Sequence, residues 1–187
     1  MPEARAKFAA ELATLGITPG NRARWRVLGV FGTLHPGHDH AAFVAEQVKL
    51  AGGAGQQLAL LTIGRTGPDA TTLLADLARQ NWPGFIAHQF GERSAAEVSG
   101  FLQNLDFGVA AAPSPLLGKS SAVAAMRLHG LRVLVPHRLP FPAYEAELGP
   151  DPDATTLDRA QDSFSPAATA QLLLSDLARH SGGEFDL

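Results

Sequence analysis

Five short apolar runs, Val27 to Phe31, Leu58 to Ile63, Phe85 to Gln89, Leu105 to Ala112 and Leu131 to Val135, recur along the chain with a helical pattern or a glycine-bearing loop and helix between each and the next. The runs are mostly apolar throughout instead of alternating, which is how a strand reads when both of its faces are covered. Strands separated by helices restrict the fold to the α/β class. The expectation is a single Rossmann-like, doubly wound domain, with a mainly parallel sheet of about five strands followed by C-terminal helices. Ligands of such folds lie beyond the carboxyl ends of the strands, so the loops that leave those ends carry the functional interest.

Before the first run, residues 3 to 16 read as a helix ended by Gly16, and Thr18-Pro19-Gly20-Asn21 reads as a turn. Arg22, Arg24 and Arg26 alternate into the strand and read as a solvated face, with phosphate contact as the alternative. A helix is expected from Asp39 or His40 to Ala51, another from Ala70 to Arg79 with Asp69 as its N-cap, and a third capped by Ser94 and ending near Asn104. Residues 1–25 thus form an N-terminal helix and linker, and 26–136 the Rossmann-like domain. Past Pro136 the pattern breaks into proline-rich loops, with helices expected at Thr155 to Asp162 and Pro166 to Arg179; residues 137–187 are expected to pack on the domain.

The stretch from Leu105 to Pro136 holds a strand, a loop, a helix and a strand, and its loop suits an anion. Gly118 permits close backbone approach, Lys119 adds a full positive charge, and Ser120 or Ser121 caps a helix whose first-turn N–H groups attract negative charge. Ala122, Val123, Ala125 and Met126 give that helix an apolar face, and His129 with Gly130 closes it. A nucleoside triphosphate loop of the GxxxxGK[ST] type is excluded, because Pro113 stands where its first glycine must be. The plain alternative is a serine-capped helix beside a solvated lysine. Together, Gly32-Thr33, Gly64-Arg65, Gly91-Glu92 and Gly118-Lys119-Ser120 all follow strands, so one crevice can use all four.

Composition narrows the partners. With 187 residues, 45% hydrophobic and 18% charged, the chain can bury a sizeable core, and a net charge of −3 offers no general attraction to nucleic acid or anionic lipid. No apolar run reaches membrane-spanning length, the opening MPEARAKFAAELATLGI lacks the apolar region of a signal peptide, and cysteine is absent. These features suit a reducing cytoplasm and remove thiol chemistry.

Taken together, a strand leading into FGTLHPG, a second ending IGRTG, a third followed by FGE, and the segment DFGVAAAPSPLLGKSSAVAAMRLHGLRVLV resemble the donor-binding, C-terminal half of a GT-B glycosyltransferase. The resemblance covers roughly Arg26 to Pro136. It implies a nucleotide-sugar at the strand ends, its diphosphate held by glycine-rich loops and the helix start, with no metal or other cofactor required. Carried over by position, it assigns Gly32 and Thr33 to the donor phosphates or sugar, and Arg65 to the leaving diphosphate. Gly118, Lys119, Ser120 and Ser121 fall to the phosphates, and Gly91 and Glu92 to the nucleoside side. No residue is assigned to catalysis. Leu116-Leu117 and Ala124-Ala125 stand where many retaining members carry glutamates, which leaves nucleotide identity open. The resemblance also implies an acceptor-binding domain, in a separate polypeptide or outside this sequence.

Two other functions compete. One is a non-catalytic module that binds a nucleotide-sugar or a protein. The other is a nucleotidylyltransferase, because His35-Pro36-Gly37-His38 matches the HxGH pattern in which His35 and His38 would stabilise a pentacoordinate phosphate. His35, His38 and His40 lack acidic or cysteine partners at a recognised metal-ligand spacing, so no metal site is expected, and His88 and His129 read as structural.

Overall fold

Strand β1 (Trp25–Phe31) lies at the centre of a five-stranded sheet, in a computed structural model that describes residues 2–34, 38–65, 67–112 and 114–136. Its neighbours are β2 (Gln57–Ile63) and β4 (Phe107–Val109), with β3 (Phe85–Gln89) outside β2 and β5 (Arg132–Leu134) outside β4. The order is β3-β2-β1-β4-β5 and every pairing is parallel. The chain winds outward from β1 in one direction and then in the other, so the direction reverses between β1 and β4, where Val30 pairs with Val109. The helices are α1 (Pro2–Thr14), α2 (His40–Gly53), α3 (Pro68–Arg79), α4 (Ala95–Leu102) and α5 (Ser121–Leu128). This is the expected α/β, Rossmann-like architecture. His35, Thr66, Pro113 and the expected helices at Thr155 to Asp162 and Pro166 to Arg179 lie outside the described residues.

Residue parity divides the core in two. Leu28, Val30, Leu58 and Leu60 pack with Phe43 and Val44 of α2 and with Leu74 and Leu77 of α3. Trp25, Val27, Ala59, Leu61 and Ile63, one residue out of step, pack with Phe8 and Leu12 of α1, Phe101 and Leu102 of α4 and Met126 of α5. Successive side chains point to opposite faces, so a continuously apolar strand supplies both cores at once. Each large side chain so buried contributes about 1.5 to 3 kcal/mol. Phe101 is fully buried, and Phe8 meets Phe90 and Phe101 edge-on with ring centres 4.7 and 5.2 Å apart.

Two strand glycines let the helices of the second face come close. A β-carbon on Gly29 would collide with Leu105 and would stand 2.8 Å from Cζ of Phe101, and one on Gly108 would stand 2.5 Å from Sδ of Met126. Helix α4 therefore rests over β1, and α5 over β4. Side-chain caps form at three helices, as expected at Ser94 and Ser120 and additionally at Asp39. The Asp39 side chain accepts from Ala42 N–H at 2.9 Å, Ser94 and Glu97 make a reciprocal capping box, and Ser120 accepts from Val123 N–H at 3.3 Å.

Several expectations are corrected. Helix α3 begins at Pro68 behind Gly67, whose φ is 76°, so Asp69 sits within the first turn and is not the N-cap. Strand β4 covers only Phe107–Val109, because the chain leaves the sheet after donating Ala110 N–H to Leu134. Arg22 and Arg26 do not form a solvated face. Arg22 grips the Asp106 carboxylate with both terminal nitrogens, at 3.0 and 2.8 Å, and also donates to the carbonyls of Trp25 and Asn104. Arg26 lies 4.2 Å from the ring centre of Phe107 and donates to the buried Gln47. Burial holds its guanidinium below the ordinary value, with Asp106 opposing that shift and Arg132 adding to it.

Candidate functional site

The carboxyl edge of the sheet is built from glycines immediately after strands. Gly32 and Gly64 take φ values of 103° and 94°, in the left-handed region that a side chain disfavours, and this turns the chain sharply as each strand ends. The sheet's bonding continues past the strands: Gly32 N–H donates to Ile63 O at 3.1 Å and Gly64 N–H to Gly91 O at 2.8 Å. Three loops are thereby stacked in the order of their strands.

Side chains carry the stack further. Thr33 Oγ1 donates to the carbonyl of Arg65 at 2.8 Å, and Arg65 Nε donates to Glu92 Oε1 at 3.0 Å. Five of the residues singled out in the sequence, Gly32, Thr33, Arg65, Gly91 and Glu92, thus form one connected group. Arg65 and Glu92, assigned to different parts of a donor, are in direct contact. The Glu92 carboxylate raises the arginine further above its ordinary value, first through the hydrogen bond and then through its charge. Both side chains are mostly exposed, at 83% and 67%, so the pair is screened and holds little of the fold together. Its accessible guanidinium and carboxylate remain open to a ligand.

Lys119 and Ser120 follow a different path to the same edge. Residues Ser114–Lys119 form a 3₁₀ helix that leads directly into α5, so Gly118 and Lys119 lie in its last turn and not in an open loop. Both are exposed, and among the described residues Lys119 makes no ion pair. Ser120 spends its oxygen on the helix cap, while Ser121 is the first residue of α5. Because β4 pairs with β1, the segment that leads to Lys119 departs beside the Gly32-Thr33 loop, at the point where the winding reverses. Such a point is the usual ligand crevice of an open α/β sheet. No hydrogen bond among the described residues joins Lys119 to the Thr33-Arg65-Glu92 group.

A groove of about 560 Å³ opens beside Gly64, Arg65 and Glu92 and runs along α4 to Ala125 and His129. Sequence reasoning missed a feature on its wall: Ser99 Oγ lies 2.8 Å from His129 Nε2. The two residues are 30 positions apart, and nothing in the periodicity of either helix signals the contact. The HxGH reading meets a different environment. His38 is only 4% exposed and packs edge-on against His40, with ring centres 5.6 Å apart. Among the described residues no group of three or more His, Cys, Asp or Glu side chains could hold a metal ion, and no helix is long and apolar enough to cross a membrane.

No protein-family model matches the sequence, and no curated protein matches it either. Among solved structures the chain is similar to the Anabaena protein Alr3699/HepE, in complex with UDP and glucose, at 16% identity and a TM-score of 0.48. The match covers 72% of this chain and 33% of that one, so the chain spans well under two thirds of the protein it matches.

Proposed function

We propose that the chain is the donor-binding half of a glycosyltransferase. It would hold a nucleotide-sugar at the carboxyl edge of the sheet and work with an acceptor-binding domain, separate or outside this sequence, in a cytoplasmic setting. The observation that carries the reading is the connected group Gly32, Thr33, Arg65, Gly91 and Glu92 at the end of successive parallel strands. Arg65 supplies a cation at its rim, and Lys119 a second one ahead of the α5 N-terminus.

The chemistry asked of such a site is modest. As the bond between the sugar's anomeric carbon and the phosphate oxygen breaks, negative charge grows on the leaving diphosphate. Fixed donors and cations aimed at that charge lower the barrier without a metal. The α5 N-terminus adds its unpartnered N–H groups and dipole. Glu92, beside Arg65, can accept hydrogen bonds from a nucleoside hydroxyl. The nucleotidylyltransferase alternative draws less support, since His38 is buried against His40.

Calorimetric titration of the full chain with a panel of nucleoside diphosphates at fixed salt tests the reading. Lys119→Ala should weaken binding by about 1.5 to 3 kcal/mol, the value of a charge-assisted contact. It should leave stability nearly unchanged, because the side chain is exposed. Ser120→Ala should also lower stability by about 1 kcal/mol through loss of the cap. Absence of binding by well-folded wild type, or equal affinity in Lys119→Ala, would leave Gly118-Lys119-Ser120 as an ordinary helix start.

A further inference from the structure

Ser99, within α4, meets His129, which follows α5, with Oγ and Nε2 2.8 Å apart. The second ring nitrogen fixes the tautomer. His129 Nδ1 lies 2.8 Å from the carbonyl oxygen of Ala125, which can only accept, so Nδ1 carries the hydrogen and Nε2 of the neutral ring presents a lone pair. Gln103 Nε2 donates to Ser99 Oγ at 3.0 Å, which occupies one lone pair of the hydroxyl and leaves its hydrogen for His129. A hydroxyl, a base within hydrogen-bond reach and a third group that orients the base are the parts of an activated nucleophile. Both side chains are half-buried and line the groove beside α4, whose wall is apolar at Phe31, Val98, Leu102 and Ala125. At about 560 Å³ the groove has the capacity of a small-molecule site.

We propose that Ser99 is a nucleophile activated by His129, and that it takes the acyl group of a carboxylic ester whose acyl chain lies along this groove. The reaction itself uses no nucleotide-sugar, although the groove shares Gly64, Arg65 and Glu92 with the proposed donor site. Ser99 Oγ attacks the carbonyl carbon while its proton passes to His129 Nε2. The bond to the leaving alcohol oxygen then breaks, and that oxygen takes the proton from Nε2. The acyl group remains on Ser99 as an ester. Water, giving a proton to the same nitrogen, attacks this ester and releases the carboxylic acid; the proton returns to Ser99 Oγ. The balance is one ester and one water consumed, with one acid and one alcohol formed.

The full chain is treated with an alkyl fluorophosphonate, in which a serine oxygen displaces fluoride from phosphorus, and the adduct is located by peptide mass spectrometry. One adduct per chain is expected, on Ser99, and none in Ser99→Ala, which removes a single oxygen. His129→Ala should slow labelling by about 100-fold or more, the usual value of general-base assistance. Added imidazole should restore part of that rate, a response that a purely structural histidine would not give. An unlabelled wild type, an adduct on another residue, or labelling of a folded His129→Ala at the wild-type rate overturns the proposal. Should His129→Ala fail to fold, the wild-type adduct and its loss in Ser99→Ala decide the matter alone.

Discussion

Replacing Asp106 should cost more stability than its partial exposure suggests, because one carboxylate holds the two halves of the sheet together where the winding reverses. Asp106 N–H donates to Val27 O at 2.9 Å, while its Oδ2 accepts from Val27 N–H at 2.8 Å, so the residue is tied to β1 in both directions. Arg22 adds two more bonds to the same carboxylate, at 3.0 and 2.8 Å. The Arg22 and Asp106 side chains are 31% and 35% exposed. Solvent screening at that exposure brings each charge-assisted bond down to about 1 kcal/mol, below the roughly 1.5 to 3 kcal/mol of a dry one. Asp106→Ala loses three accepted bonds and should destabilise by about 3 kcal/mol. Asp106→Asn keeps one acceptor oxygen and the shape, and should cost about 1 to 1.5 kcal/mol. Urea unfolding, with midpoints compared at unchanged slope, reads both values. An alanine variant within 0.5 kcal/mol of wild type, or an asparagine variant as unstable as the alanine one, would refute the clamp.

Gly100→Ala should destabilise by about 1 to 2 kcal/mol: a helix-propensity gain of about 1 kcal/mol is outweighed by a β-carbon driven into the backbone carbonyl of Ala4 on α1, which thermal unfolding would detect. The Ser94 hydroxyl, then Lys7 and the Ser94 N–H, bring the Glu97 carboxyl from its ordinary 4.5 down to about 2. A carboxyl held lower in the folded state contributes stability that is complete above pH 4.5 and is lost as pH falls towards about 2. The Tm difference between wild type and Glu97→Gln should therefore be constant near neutrality and close over that window. Thr62→Val should raise the urea midpoint by the equivalent of about 1 to 2 kcal/mol, since the fully buried Thr62 Oγ1 has no hydrogen-bond partner among the described residues.

The layered fold was legible because every strand overlaps an apolar run, and three helix starts carry a capping residue that acts locally, Asp39, Ser94 and Ser120. What escaped depends on distant partners. Arg22 read as solvated because Asp106 lies 84 residues away, and the Ser99-His129 pair spans two helices for the same reason. Local chemistry misled at α3, where a glycine with positive φ followed by Pro68 starts the helix ahead of Asp69. The 3₁₀ helix over Ser114–Lys119 was hidden in a stretch that read as a loop, since one or two tight turns are too short to leave a periodic signal. At the candidate site, the loops after β1, β2 and β3 could be assigned to one edge from strand order, whereas the Arg65-Glu92 contact required the register of β2 and β3.

In the proposed donor site four strand-end loops serve one anionic ligand, and glycine amides report on it directly. In a ¹H–¹⁵N correlation spectrum titrated with a nucleoside diphosphate at fixed salt, the amides of Gly32, Gly64, Gly91 and Gly118 should shift together and saturate with one dissociation constant. Gly16 and Gly55, which end α1 and follow α2, should stay in place. Shifts confined to Gly118 and its neighbours, or no shift at any of the four at saturating ligand, would contradict a shared donor site.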